Sequence, residues 1–137
     1  MKKLIVLFDA TGSTLGTQVT NVGKLYAMIQ TGPSQKVLYV AGAPAVTGLW
    51  QNSVVVDAYR ALKLALEFVT GVDIDSKVLQ AYKWIAKNWE RGDKIFAFGF
   101  GRGAYEARVF AAFVRCVGVT DQAAEYAFDG FLKLMAP

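Results

Sequence analysis

The junction between an apolar run and a glycine-rich turn constrains the fold of this chain more than any other segment. It spans residues 94–108 and reads KIFAFGFGRGAYEAR. Residues 94–100 are typical of a strand buried in a parallel sheet, and residues 103–115 predict a helix. Three alternate glycines stand between them: Gly99, Gly101 and Gly103. A strand that turns directly into a helix indicates the α/β class.

The rest of the chain continues this alternation of strand and helix. Apolar runs at residues 3–8 and 36–41 predict two more strands, and Thr20 or Asn21 can cap the helix that follows the first of them. Apolar residues at helical spacing predict further helices over about residues 21–30, 55–68, 76–89 and 121–135, the third of these capped by Asp75 or Ser76. Strands separated by helices imply parallel pairing through right-handed crossovers. We therefore expect a single domain, residues 1–137, built as a small three-layer α/β/α sandwich with a mostly parallel sheet.

Candidate site residues cluster where the predicted strands end, because ligand sites of parallel sheets form at the carboxyl ends of the strands. Asp9 ends the first strand, and its carboxylate is expected either to anchor a site crevice or to cap the next turn through backbone N–H groups. Thr11 and Ser13 lie in that turn as substitute nucleophiles, but no base is available to activate them. The candidate crevice also includes residues of the glycine turn: Gly99, Phe100, Arg102 and Gly103.

The glycine turn has two interpretations. In a nucleophile elbow, G-x-S-x-G, a serine occupies a strained strand-to-helix turn whose flanking glycines let the two elements approach closely. The flanking glycines are present here, but Gly101 stands at the serine position, so the nucleophilic oxygen is missing. A dinucleotide fingerprint also places glycines between strand and helix, although its third glycine follows the second at a longer interval than in this chain. Anion or nucleotide binding at this turn stays an alternative.

Longer motifs resemble a known family. Residues 99–108, GFGRGAYEAR, are similar to the G-F-S-R-G-A-Y-x-A-R signature of the α/β-hydrolase family that includes type VI secretion phospholipase effectors. Residues 8–13, FDATGS, resemble its F-D-G-T-x-N segment, and residues 20–22 match its T-N-V. Further matches follow in the same order: Tyr39 and Gly42, Ala81 and Tyr82, Gly92 and Asp93. The resemblance implies a truncated α/β-hydrolase core, an ancestral serine ester hydrolase activity and a bacterial or phage origin.

Departures from this family bear directly on catalysis. Gly101 occupies the nucleophile position, and Ala10 replaces the glycine that follows the family's aspartate. The resemblance places the family's catalytic acid and histidine in strands well beyond the elbow, and the chain contains no histidine. A triad enzyme without its members retains only the weak catalysis of binding and the oxyanion hole. We therefore expect no intact catalytic residue.

Composition narrows the classes of partner. The net charge of +4 comes from scattered residues, which argues against nucleic acid as a partner. The absence of histidine and of clustered acids argues against a metal or another cofactor.

No run approaches the ~18 apolar residues of a membrane span, and the N-terminal run is too short for a signal peptide. We therefore expect a cytoplasmic protein, or one exported without a cleaved signal. Cys116 lies in an apolar run and is expected to be a buried, inert thiol.

Three functions follow from these observations, in order of preference. The first is a non-catalytic relative of the hydrolase family that acts by binding or by assembling with itself or with a protein partner. An apolar content of 54% in so small a domain supports this interpretation. The second is a lipase or esterase domain inactivated by truncation or mutation, and the third is an anion- or nucleotide-binding module.

Overall fold

A computed structural model of the chain describes residues 1–10, 20–42, 72–120 and 124–135. Three strands form one sheet: β1 Lys3–Phe8, β2 Gln35–Val40 and β3 Lys94–Gly99. The described part of the chain also contains four helices: α1 Asn21–Met28, α2 Val72–Asn88, α3 Arg102–Val117 and α4 Ala124–Met135. Within these described ranges, no helix has the length and apolar character needed to cross a membrane.

The sheet is parallel, with strand order β2-β1-β3. Phe8, the last residue of β1, is level with Val40 of β2 and with Gly99 of β3. All three strands therefore end at the same edge of the sheet. The predicted α/β class with parallel pairing is confirmed.

Helices cover both faces of the sheet. One face of β1 packs against α2 and α3 through Leu4, Val6 and Phe8, and α4 packs against these two helices to complete the larger core. The opposite face of β1 packs against Val22 of α1 through Ile5 and Leu7. Helices on either side of the sheet give the three layers that the alternation of elements predicted.

Two helix boundaries test the helix caps that were predicted from the sequence. Thr20, one of the two predicted caps, is the N-cap of α1, and its side-chain oxygen accepts a hydrogen bond from the Gly23 N–H at 3.0 Å. The predicted caps of α2 were wrong, because that helix already begins at Val72. Acidic residues suit both a cap and the first turn of a helix, so the sequence left this boundary ambiguous. The helix predicted over residues 55–68 lies outside the described residues.

The prediction that Cys116 is buried was also wrong, since its side chain is exposed. The buried face of α3 carries Ala107, Phe110 and Phe113 at helical spacing, and Cys116 falls to one side of that face. Apolar neighbours in sequence indicated burial, but the helical period decides which of them reach the core.

Candidate functional site

The carboxyl ends of the three strands bring together most of the predicted crevice. Asp9 directly follows β1. The glycine turn begins at the end of β3, the strand that pairs with β1 in the sheet. The Phe100 N–H donates to the Phe8 carbonyl at 3.2 Å, which continues the pairing of β3 with β1 into the turn. Thr11 and Ser13, the predicted substitute nucleophiles, lie outside the described residues.

Gly101 forms the tip of the turn and the N-cap of α3. Its backbone has φ 59° and ψ −126°, a conformation that side-chain-bearing residues adopt only at a cost. The Gly103 N–H donates to the Phe100 carbonyl at 3.0 Å, and the Ala104 N–H donates to the Gly101 carbonyl at 3.1 Å. The chain therefore makes the sharp strand-to-helix bend of a nucleophile elbow, although a glycine stands at its tip.

Gly99 and Gly103 hold α3 close to the sheet. A Cβ atom at Gly99 would overlap with the Gly103 carbonyl, and a Cβ at Gly103 would overlap with the Phe8 carbonyl. Both obstacles are backbone atoms, which cannot turn away as a flexible side chain can. The predicted role of the flanking glycines, a close approach of strand and helix, is present in the structure.

Gly101 and Ala10 face each other across the crevice. A Cβ built on Gly101 would lie 3.0 Å from the Ala10 Cβ, tighter than ordinary van der Waals contact. These are the two positions where the chain departs from the family's elbow and from its aspartate-glycine pair. The departures are therefore adjacent in space, since the methyl group of Ala10 stands beside the place of the missing serine side chain.

Asp9 is buried, with 2% of its surface exposed, and its carboxylate accepts several hydrogen bonds. The Ala10 N–H donates to Oδ1 at 2.7 Å, and the Thr20 hydroxyl lies 2.8 Å from Oδ1 and 2.9 Å from Oδ2. The Tyr39 hydroxyl donates to Oδ2 at 2.5 Å. The carboxylate therefore joins β1 to the end of β2 and to the N-cap of α1.

Tyr39 and Thr20 are site residues that sequence reasoning missed. Tyr39 was noted only as a family match and Thr20 only as a helix cap. Tyr39 is level with Leu7 in the β1–β2 register, so its place near the end of its strand was the available signal. Burial, and then the hydrogen bond to Asp9, raise the pKa of the Tyr39 hydroxyl, so that it keeps its proton.

The chemistry available to this arrangement is limited. The described crevice supplies a hydrogen-bonded carboxylate, a protonated phenol and the backbone of the elbow. The half-buried Arg102 begins α3, and Phe100 is exposed beside it. In the described part of the chain, no group of three or more histidine, cysteine or acidic residues is placed to hold a metal ion.

Comparisons with known proteins agree with the elbow geometry. A family model for the catalytic domain of T6SS phospholipase effectors of the Tle1-like type matches residues 2–136. Uncharacterized protein YEL023C of Saccharomyces cerevisiae is 33% identical over 131 residues, covering 90% of this chain and 19% of the yeast protein. The chain thus spans about a fifth of the length of this curated relative. No solved structure matches the chain. The chain belongs to the family of T6SS Tle1-like phospholipase effector catalytic domains.

Proposed function

We propose that this chain is a non-hydrolytic member of its family, which acts by binding or by assembling with itself or with a protein partner. The observation that carries the proposal is the tip of the elbow, where Gly101 offers no side-chain oxygen. Acyl transfer by this family's chemistry needs a nucleophilic oxygen and a group that carries its proton. The sequence contains no histidine to serve as that carrier.

The surroundings of the elbow support the same conclusion. The carboxylate of Asp9 already accepts hydrogen bonds from Ala10, Thr20 and Tyr39, which suits a residue that holds the crevice together. The Ala10 methyl group stands where it crowds any side chain at position 101. The position that carries serine in the family therefore has no side chain here, and the Ala10 methyl group crowds the space that such a side chain would fill.

Ester hydrolysis by the purified chain tests this proposal. The wild-type protein, Gly101→Ser and the double variant Ala10→Gly/Gly101→Ser are compared on a fluorogenic short-chain ester and on phospholipid vesicles. The double variant removes the Ala10 methyl group, so it leaves the most space for a serine side chain at position 101. We expect no saturable turnover from any of the three, because the proton carrier is still missing. Saturable turnover by the wild-type chain would refute the proposal.

A phospholipase-like hydrolase is a second candidate, favoured by one observation. The backbone of the elbow and the close glycine contacts are intact, although position 101 carries no nucleophile for them to present. In this alternative the chain is a truncated or mutated part of a hydrolase, as its match to 19% of the yeast relative permits. Ester turnover by a longer protein that supplies a histidine, dependent on Gly101→Ser, would favour this candidate over the first.

A further inference from the structure

Two charged side chains are buried between helices α2 and α3, which pack against each other. Lys77 of α2 is 8% exposed, and Glu106 of α3 is 1% exposed. The Lys77 Nζ lies 3.6 Å from Glu106 Oε1, so the two residues form an ion pair between the helices. Neither residue belongs to the crevice, and Glu106 occupies the one position that the family signature at residues 99–108 leaves unspecified.

Both charges occupy positions that the helical period assigns to the core. In α2, Lys77 precedes the buried residues Ala81 and Ile85 at intervals of about one turn. In α3, Glu106 lies on the buried face together with Phe110. An apolar side chain at either position would join the larger core without losing hydration, whereas each charge loses most of its contact with water. Stability alone therefore does not explain why charges stand at these two positions.

The buried residues next to the pair along each helix are small. Ala81 follows Lys77 by one turn, and Ala107 follows Glu106 directly. Packed helices keep their register when large side chains of one fit between those of the other, and a methyl group offers little for this purpose. A shift of α2 by one helical turn, about 5.4 Å, would separate the two charges and leave both of them buried. The ion pair therefore disfavours each alternative register.

Helix α3 connects this ion pair to the elbow. The helix begins at Arg102, directly after Gly101 at the tip, and Glu106 lies one turn further along. Gly103, in that first turn, packs closely against the backbone of Phe8 in β1. The first two turns of α3 are therefore held by the sheet through Gly103 and by α2 through Glu106.

We propose that Lys77 and Glu106 act as a register lock, a buried ion pair that holds α2 and the elbow helix α3 in one relative position at a cost in stability. Two apolar side chains of similar size would make this contact at least as stable but less specific. The inference goes beyond the proposed function, because it invokes no reaction and no partner. It makes the position of the elbow helix depend on two side chains that lie outside the crevice.

Apolar replacement of both partners separates stability from register. Lys77→Met and Glu106→Leu are made singly and together, and Lys87→Met, at an exposed position of α2, is the matched control. Each of the two buried side chains also has a further interaction, so a double-mutant cycle is needed to isolate their mutual contribution. Thermal unfolding followed by far-UV circular dichroism measures stability. Near-UV circular dichroism and the number of NMR resonances per backbone amide of α2 and α3 measure whether the helices adopt one relative position.

We expect each single variant to lower the melting temperature by about 10 °C or more, because it leaves one buried charge without the other. A single variant too unstable to fold is an extreme case of the same loss, and the double variant then shows its rescue. The double variant is expected to melt within about 5 °C of the wild type or above it, and the control within about 2 °C.

The register of the helices gives the second part of the result. We expect one resonance per amide in the wild type, and several per amide with a weaker near-UV signal in the double variant. Single variants that melt like the wild type would overturn the inference, as would a double variant whose loss equals the sum of the two single losses. A double variant with one resonance per amide would overturn it as well, since apolar packing would then suffice to set the register. Ester turnover tests the proposed lack of hydrolysis separately.

Discussion

At the scale of single residues, Asp9 shows how a carboxylate at the end of a strand can organise the fold around it. Its carboxylate holds the Tyr39 hydroxyl, the Thr20 hydroxyl and the Ala10 N–H at once. Thr20 in turn accepts from the Gly23 N–H, so the carboxylate supports the first turn of α1 through the cap. A buried carboxylate is tolerated when such donors replace its lost hydration. Two strands and a helix therefore depend on one side chain.

The bond between Tyr39 and Asp9 makes stability depend on alkaline pH. The folded state raises the pKa of Tyr39, through burial and then through Asp9, so the unfolded chain loses this proton first as the pH rises. The stabilisation is complete below the ordinary tyrosine pKa of about 10 and is lost progressively above it. We expect Tyr39→Phe to lower the free energy of unfolding by about 1 kcal/mol at pH 8 and to differ less from the wild type at pH 11.

Urea unfolding at a series of pH values from 8 to 11 measures this difference. Tyr105→Phe is the control, because Tyr105 is 59% exposed on the outward side of α3. A constant difference between wild type and Tyr39→Phe across the series would contradict the assigned bond.

Only part of this cluster could be predicted from the sequence. A turn-capping role for Asp9 was one of two interpretations, and the Ala10 N–H bond agrees with it. The bond to Tyr39 depends on β2 lying beside β1, which strand patterns alone do not specify. Tyr105 is exposed, because it falls away from the buried face of its helix.

At the scale of elements, the contact between α3 and β1 depends on glycine more than on side-chain packing. Gly103 lies in the first turn of α3 directly against the Phe8 carbonyl. Gly99, at the end of β3, allows α3 an equally close approach to that strand, since a Cβ there would overlap with the Gly103 carbonyl. Such an approach leaves no room for a methyl group, which explains why the sequence motif predicted the elbow so well.

Gly103→Ala is expected to destabilise the protein by about 3 kcal/mol or more, at the upper end of the cost of overpacking, because backbone atoms on both sides must separate. Gly130→Ala is the matched control within α4, where an added Cβ meets no atom within 4 Å. That change should stabilise by about 0.5–1 kcal/mol through helix propensity. Urea unfolding midpoints compare the two, and equal effects would show that α3 and β1 are not in such close contact.

Strand β3 shows that a sequence pattern can predict a strand without predicting which of its faces is buried. Its continuous apolar run predicted a strand, and the strand is there. The same run also predicted a strand buried on both faces, whereas Phe96 and Phe98 are exposed. A fully apolar run carries no alternation, so it cannot reveal which face the neighbouring layers leave open.

At the scale of the whole molecule, the described core is strongly asymmetric about the sheet. The larger side gathers an aromatic cluster around Phe113, whose ring centre lies 4.4 Å from that of Tyr82. Phe128 and Phe131 of α4 lie 4.9 and 5.3 Å from the same ring. Folding stability is therefore expected to depend mainly on this side of the sheet.

Removing one phenylalanine from each side of the sheet tests this asymmetry. Phe113→Ala leaves a cavity among three aromatic rings and should cost about 3–5 kcal/mol, a large share of the 5–15 kcal/mol that stabilises a typical domain. Phe98→Ala removes a ring that is 42% exposed, and at concentrations where the chain is monomeric it should cost less than about 1 kcal/mol. Both are measured by urea unfolding of dilute protein. If Phe98→Ala costs as much as Phe113→Ala, the Phe98 ring contributes as much to the core as the Phe113 ring does, and the assigned asymmetry is wrong.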